Sequence, residues 1–312
     1  MDEGITTINV MEIAQLKKKL EEFGENIKFE HDLKKKNWFN IGGKAKVFYK
    51  AENLKGLVNF LKKLQNKERI FIIGAGSNTL ITDNLFNGVV IKLSKNFSNI
   101  SLLGEDVIIA GSAVLDKSLS EFALKYNLSG FEFLSCIPGT IGGGIRMNAG
   151  CFGKEFKDII LSIQAIDMNG NVKTIQSKDI NFQYRNNDLP EDLVFLSASF
   201  KGSKSNFDKI NSEMIKLKNE KEKNQPTKIK TSGSTFKNPI SQSKKKVWEL
   251  IKESVPLNKC FGDACISDKH CNFFVNKGQA TYEDMRQLID FVAKSVLEKT
   301  GVSLEKEIKI LE

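Results

Sequence analysis

Histidine and arginine are scarce in this chain, and each scarcity removes a class of function. Histidine occurs only at His31 and His270, which excludes a histidine-based metal centre, and no metal is expected. Arginine occurs only at Arg69, Arg146, Arg185 and Arg286, so nearly all of the 47 basic residues are lysine. A formal charge of +9 would suit a nucleic-acid partner, yet such a surface favours bidentate arginine interleaved with aromatics. The lysines are instead spread along the predicted helices, with brief clusters at Lys34-Lys35-Lys36 and Lys244-Lys245-Lys246. Nucleic acid is therefore not an expected partner; most of the charge is solvated surface, and part of it favours an anionic substrate. The five cysteines (Cys136, Cys151, Cys260, Cys265, Cys271) are odd in number and fall outside paired C-x-x-C spacing, so they are read as reduced structural thiols. Proline is also rare, and with abundant lysine, asparagine, isoleucine and phenylalanine this is the usage of an AT-rich genome. No apolar run reaches membrane-spanning length, and Met1-Asp2-Glu3-Gly4 begins neither a signal nor a transit peptide. The expectation is a cytoplasmic protein without a membrane partner.

A chain of 312 residues has length for two or three domains. Periodicity predicts a short amphipathic helix over Met11–Phe23, then a charged linker through Lys36. It predicts strands at 45–51, 70–73, 89–93 and 107–110, with helices at 54–64 and 113–126 between them. Strands follow at 159–166, 172–175 and 193–200, the first two joined by the Asn169-Gly170 turn. Composition then shifts: 202–223 is polar and lysine-rich, but Phe207, Ile210, Met214 and Leu217 recur on one helical face. Helices at 245–254 and 282–297 and strands at 272–276 and 303–311 complete the chain. Boundaries at 66/67 and 203/204 divide it into 1–66, 67–203 and 204–312, an α+β arrangement.

Four segments carry chemistry. In Thr231-Ser232-Gly233-Ser234-Thr235-Phe236-Lys237-Asn238-Pro239, Gly233 permits a sharp turn that brings Ser234 close to a ligand. Lys237 and Asn238 offer a charge and an amide to phosphate or sugar oxygens. Gly74-Ala75-Gly76-Ser77-Asn78 follows a predicted buried strand and can cradle phosphate with its backbone N–H groups, although a plain structural turn has the same composition. It is not a dinucleotide turn of the G-x-G-x-x-G kind, because Thr79 stands at the third glycine and the next strand lacks the ribose-binding acid. Ile137-Pro138-Gly139-Thr140-Ile141-Gly142-Gly143-Gly144-Ile145-Arg146-Met147-Asn148-Ala149-Gly150 holds five glycines in fourteen residues. Their ordering costs entropy, which is sensible where a large flat ligand must approach the main chain. Tyr184-Arg185 can aim a guanidinium at a carboxylate, or form an ordinary ion pair. The alternation of Leu304–Leu311 sets Leu304, Lys306, Ile308 and Ile310 on one face and Glu305, Glu307 and Lys309 on the other; by pattern alone the latter is a solvated strand face.

Together these residues resemble the UDP-N-acetylenolpyruvoylglucosamine reductase family, in order and along nearly the whole chain. The landmarks are Asn40-Ile41-Gly42-Gly43, Gly74–Asp83, Ile137–Gly150, Tyr184-Arg185, Gln225-Pro226, Gly233–Pro239, His270–Asn276 and Leu304–Leu311. The lack of a further insertion is similar to the shorter subtype. The resemblance implies a two-part FAD-binding domain of the p-cresol methylhydroxylase type over 1–66 and 67–203, with a C-terminal α+β substrate domain over 204–312. It implies non-covalent FAD, held by Gly42, Gly74, Ala75, Gly76, Ser77, Asn78, Pro138, Gly139, Thr140, Gly142, Gly143, Gly144 and Asn148. It implies NADPH as hydride donor and UDP-N-acetylglucosamine enolpyruvate as acceptor, with Lys237 and Asn238 near the substrate diphosphate. Arg185, Ser234 and Glu307 are the implied catalytic trio, and a monomer is expected.

Three positions depart from the family pattern. Trp38 replaces a smaller residue, Lys221 or Lys223 replaces an arginine before Gln225-Pro226, and Cys271 replaces alanine. The rival readings are another FAD enzyme of the same fold, such as a sugar or lactone oxidase, and a non-enzymatic basic binding module. The Gly233–Pro239 segment argues against the first, and a yellow purified protein would argue against the second.

Overall fold

The computed structural model describes residues 13–65, 68–226, 229 and 231–312. The first two residues of the expected helix over Met11–Phe23 lie outside the described residues; 13–20 are helical and a 3-10 turn, Glu21–Asn26, follows. The expected charged linker is in part a strand, Ile27–Asp32, antiparallel to Lys44–Ala51. Only one face of it is covered, and the polar residues on the other face disguise it.

Strands Ile27–Asp32, Lys44–Ala51, Phe86–Leu93 and Ile70–Ile72 form, in that order, one mixed sheet. The helix Leu54–Leu64 covers it with Leu57, Phe60, Leu61 and Leu64. Asn53 starts this helix by accepting the Gly56 N–H at 2.8 Å, and Gln65 ends it in a left-handed conformation. The expected 66/67 boundary is not a break in this sheet, because Phe86–Leu93 pairs parallel with Lys44–Ala51 on its far side and with Ile70–Ile72 on its own. Ile70–Ile72 is half-buried rather than buried, since it lines the cleft described below.

A second, antiparallel sheet has the order Val172–Gln176, Ile160–Ile166, Val194–Lys201, Val107–Gly111, Ile100–Leu103. The helix Asp116–Lys125 and the short helix Ile141–Arg146 lie against its core. The latter runs through the glycine-rich segment, where a side chain on Gly144 would meet the Phe156 ring at 2.3 Å. The long helix Phe207–Asn224 rests on the turn Glu132–Cys136 of this second unit, so the 203/204 boundary also falls within a packed unit.

The remaining unit has helices Val247–Ser254 and Tyr282–Thr300 and a three-stranded sheet of Cys260–Phe261, Ala264–Ile266 and Phe274–Asn276. Thr281 and Asp284 form a reciprocal cap at the start of the long helix, and Gly301 ends it at φ 72°. Cys260 and Cys265 face each other across the first strand pair and are joined as a disulfide, correcting the expectation of five reduced thiols.

The predicted last strand shortens to Lys309–Leu311, which pairs in parallel with Thr79–Ile81, directly after the first glycine loop. Thr79–Ile81 itself was expected as loop. Its three residues are buried on both faces, so it carries no alternation to read.

Candidate active site

One cleft of about 1350 Å³ gathers residues from all three units. Of the residues expected to function, it is lined by Gly74 to Asn78, by Pro138, Gly139, Thr140, Gly142, Gly143 and Gly144, and by Arg185, Ser234, Asn238 and Glu307. Gly42, Asn148 and Lys237 do not line it. Gly42 is needed for packing, because a side chain there would meet Ile81 Cβ at 3.0 Å. Asn148 is buried with its amide in use: Nδ2 donates to Glu155 Oε2 at 3.0 Å and to Gln183 O at 2.9 Å, and Oδ1 accepts from Lys157 N at 3.0 Å. Lys237 turns away to pair with Glu305.

The segment 231–239 is held between two neighbours. Thr231 Oγ1 donates to Phe274 O at 2.6 Å, and Thr235 N donates to Asn272 O at 2.8 Å. Asn272 closes a second clamp on Phe236, accepting its N–H at 3.1 Å and donating to its carbonyl at 2.9 Å. On the other side Glu307 N donates to Thr235 O at 2.8 Å. Ser234 and Glu307 are thereby fixed next to one another although they lie far apart in sequence. Gly233 has φ 73° and open space around its Cα, so glycine is required there by conformation alone. Among the described residues the Ser234 hydroxyl has no hydrogen-bond partner, while its backbone is pinned on both sides.

Arg185 faces the same point. It has φ 55°, a conformation uncommon outside glycine. Its Nε donates to Glu307 Oε1 at 2.9 Å and its Nη2 to Gly150 O at 2.7 Å. Glu155 Oε1 stands 3.6 Å from Nη1, and the guanidinium lies 5.0 Å from the Tyr184 ring centre. Burial pushes the Glu307 carboxyl above its ordinary value, and the nearby Arg185 and Lys237 charges only partly oppose this. Glu307 is thus no solvated strand face: its side chain is 17% exposed, its carbonyl accepts from Asn78 Nδ2 at 3.1 Å, and Lys309 N donates to Asn78 O at 3.0 Å.

Several residues of the cleft escape sequence reasoning. Lys92 donates to Gly74 O at 3.0 Å and sets a cation beside the first glycine loop. Lys221, rather than the exposed Lys223, is the basic residue that reaches the cleft from the helix Phe207–Asn224. His270 lines it too, its pKa lowered by burial. Arg146 is a structural clamp: it donates to the carbonyls of Leu189, Pro190 and Leu193 while lying 4.2 Å from the Phe195 ring centre. Cys271, at a position departing from the family pattern, does not line the cleft; its thiol donates to Trp248 O at 3.2 Å.

The cleft has the features a dinucleotide flavin requires. Side chains on Gly74 and Gly139 would collide with Thr140 Oγ1 at 2.5 Å and Asp116 Oδ2 at 2.6 Å, so the two glycine loops keep their backbones close to these polar groups. Asp116 is fully buried, and among the described residues neither of its carboxyl oxygens has a hydrogen-bond partner; the buried Ser112 hydroxyl likewise has none among them. Both line the cleft. Unpaired buried oxygens are costly, and ligand hydroxyl and amino groups would satisfy them.

Comparison with known proteins agrees with this geometry. An FAD binding domain model matches residues 45–176, and the model of the C-terminal domain of UDP-N-acetylenolpyruvoylglucosamine reductase matches residues 225–311. The start at 225 coincides with the end of the helix resting on the second unit. The chain is 64% identical to the UDP-N-acetylenolpyruvoylglucosamine reductase of Pelagibacter ubique (strain HTCC1062), covering 96% of this chain and 100% of the relative. It is 45% identical to the corresponding protein of Rickettsia conorii (strain ATCC VR-613 / Malish 7), over 90% and 94%. The crystal structure of the Thermus caldophilus reductase superposes with a TM-score of 0.77 at 28% identity, covering 92% of this chain and 98% of that one. With its two-part FAD-binding fold, its C-terminal domain and these relatives, the chain belongs to the UDP-N-acetylenolpyruvoylglucosamine reductase family.

Proposed function

We propose that this chain catalyses the NADPH-dependent, FAD-mediated reduction of UDP-N-acetylglucosamine enolpyruvate to UDP-N-acetylmuramate, a step in peptidoglycan precursor synthesis. The observation that carries this reading is the Arg185–Glu307 pair set beside Ser234 in the cleft that both glycine loops enter. Bound FAD, reduced by NADPH, supplies the hydride for the terminal carbon of the enolpyruvyl double bond.

The residues of this chain manage the charge and the proton. Gly74 to Asn78, Pro138 to Thr140 and Gly142 to Gly144 would hold the cofactor, with Lys92 countering phosphate charge and Asp116 and Ser112 accepting from its hydroxyls. Arg185 binds the substrate carboxylate, beside which negative charge develops. Burial raises the Glu307 carboxyl, and the arrival of a second carboxylate favours its proton further, so that Glu307 donates to the substrate instead of repelling it. Fixed donors aimed at developing charge in a dry site act as an oxyanion hole does. The Ser234 hydroxyl delivers the proton to the adjacent carbon as general acid. Asn238, which donates to the Tyr184 hydroxyl at 3.3 Å and accepts from Val247 N at 3.0 Å, holds the wall nearest the sugar diphosphate. A cytoplasmic location suits a charged substrate and NADPH, and a monomer suffices because one chain supplies the whole cleft.

A visible spectrum of the purified protein tests the reading. Anaerobic NADPH should bleach the flavin bands, and the UDP-linked enolpyruvate should restore them in a single turnover. Bleaching reversed only by oxygen would assign the chain to the oxidases of the same fold.

A further inference from the structure

The cleft also carries two thiols for which this reduction has no use. Cys136 ends the turn Glu132–Cys136, immediately before the Ile137-Pro138-Gly139 loop, and Cys151 directly follows Gly150. Both line the cleft, and the strand Gly150–Cys151 packs directly against the turn Glu132–Cys136. The Ser135 hydroxyl is 3.7 Å from Cys136 Sγ, Phe133 O is 3.8 Å from Cys151 Sγ, and the Lys221 ammonium donates to Cys136 O. Two thiols, a hydroxyl and a cation thus gather where the turn Glu132–Cys136, the strand Gly150–Cys151 and the helix Phe207–Asn224 come together.

Their environments are unequal. The neighbouring Cys151 thiol, aided by Ser135 and by the charges of Lys221 and Lys218, brings the Cys136 thiol below its ordinary value against the opposing effect of burial. The nearby Cys136 thiol and burial push Cys151 up. A thiolate beside a neutral thiol is the pairing of a reactive and a resolving cysteine. The other cysteines differ: Cys260 and Cys265 are already joined, and Cys271 lies outside the cleft with burial pushing its thiol up.

We propose that Cys136 and Cys151 form a redox-sensing dithiol, oxidised by hydrogen peroxide to a disulfide that arrests the enzyme. The Cys136 thiolate attacks peroxide; an S–O bond forms, the O–O bond breaks, and the departing hydroxide takes up a proton as water. The Cys151 sulfur then attacks that sulfenic acid; the S–S bond forms, the S–O bond breaks, and the second water leaves with the Cys151 proton. Two thiols and one peroxide become one disulfide and two waters. The new bond ties the residue preceding the Pro138 loop to the residue following Gly150, whose carbonyl holds Arg185. Disulfide formation rests on the placement of the two thiols in adjoining elements, whereas the loss of turnover rests on the function proposed above.

The test uses the holoenzyme, treated with hydrogen peroxide, alkylated and digested for mass spectrometry. A Cys136–Cys151 cross-linked peptide is expected, formed about tenfold or more faster than oxidation at Cys271, and removed by dithiothreitol. Cys151→Ala should stop at a sulfenic acid on Cys136 that dimedone traps, and Lys221→Met should slow the reaction. Alkylation of Cys136 by iodoacetamide should rise with pH well below the value of about 8.5 at which a free thiol does. No cross-link, or oxidation of Cys271 at the same rate, overturns the proposal. A cross-link formed while turnover persists would retain the disulfide and overturn its role as a brake; peroxide-sensitive turnover in the Cys136→Ala, Cys151→Ala double variant would overturn it as well.

Discussion

The cleft concentrates three side chains whose protonation decides what each does. Ser234 has a pinned backbone and a hydroxyl with no partner among the described residues, which suits a group that must give its proton to substrate. Ser234→Ala should still be reduced by NADPH at the normal rate, while reoxidation by the sugar nucleotide falls roughly 10²–10⁴-fold. Stopped-flow absorbance of the two half-reactions separates these outcomes, and normal reoxidation would remove Ser234 as the donor. Glu307 has its pKa raised by burial, so its proton persists to higher pH than that of an ordinary carboxyl. Turnover that needs this proton must fall as pH climbs through the raised value. Glu307→Gln retains a donor and should lose that alkaline fall in the pH–rate profile; Glu307→Ala should cost about 10²–10³ in turnover, as loss of an oxyanion donor does. Asp116 is the stability counterpart. Burial alone raises its pKa well above the carboxylate range, so the folded state holds this proton more tightly than the unfolded chain. The resulting stabilisation is complete below the unfolded value near 4 and is lost as pH rises through the folded value. The Tm of flavin-free protein should therefore decline over that interval, and Asp116→Asn should flatten the decline and raise the Tm at neutral pH.

The two glycine segments look alike in sequence and act differently as elements. Gly76 has φ 68°, and a side chain there would meet Lys36 O at 2.1 Å, so Gly76→Val drives the loop against the backbone of the turn Lys34–Lys36 whether or not a cofactor binds. Gly143 sits in the helix Ile141–Arg146, lines the cleft, and a Cβ there would approach nothing closer than Thr140 Oγ1 at 3.6 Å. Gly143→Leu should accordingly fold, with a far-ultraviolet spectrum and flavin-free Tm close to the parent, yet purify colourless because its side chain occupies cofactor space. Full flavin content in that variant would separate this helix from the cofactor. The same contrast explains what could be read in advance. Leu54–Leu64 and Tyr282–Thr300 were legible because their apolar spacing and end residues agree. Thr79–Ile81 was not, because it is three residues long, wholly buried, and a strand only by virtue of Lys309–Leu311, far away in sequence. The glycine-rich helix was hidden for the opposite reason: its composition opposes helix, and the packing of Gly144 on Phe156 overrides propensity. Apart from Gly42, Asn148 and Lys237, the site residues expected from their motifs line the cleft, whereas Lys92 and Asp116 have no motif and become visible only when distant segments meet.

At the scale of the whole molecule, the C-terminal unit is not an independent cap. Its core of Phe236, Val247, Leu250, Met285 and Ile289 extends across to Phe39, Ile41 and Leu80 from the N-terminal part of the chain. Asn276 Nδ2 donates to Phe39 O at 2.9 Å, Thr82 N donates to Leu311 O at 2.8 Å, and Asp83 Oδ2 accepts from Tyr282 N at 2.6 Å. Breaking the chain near residue 224 would strand these apolar side chains in water and leave the edge of Thr79–Ile81 unpaired. The sequence boundaries missed this because they follow composition, whereas the cores follow pairings between distant segments. The coupling has a measurable consequence. Leu80 is fully buried in the core shared by the two parts, at the middle of the parallel strand pair and two residues beyond Asn78 of the first glycine loop. Leu80→Ala should cost about 2–5 kcal/mol, the range for a buried leucine whose cavity cannot fully collapse. Calorimetry of the parent should show one transition spanning both parts, and the variant should shift that whole transition down rather than split it. Because Asn78 links the loop to the Glu307 carbonyl, flavin affinity should weaken together with stability. A variant that melts in two steps, with the C-terminal unit unfolding alone and flavin binding unchanged, would show that the shared core does not couple the parts.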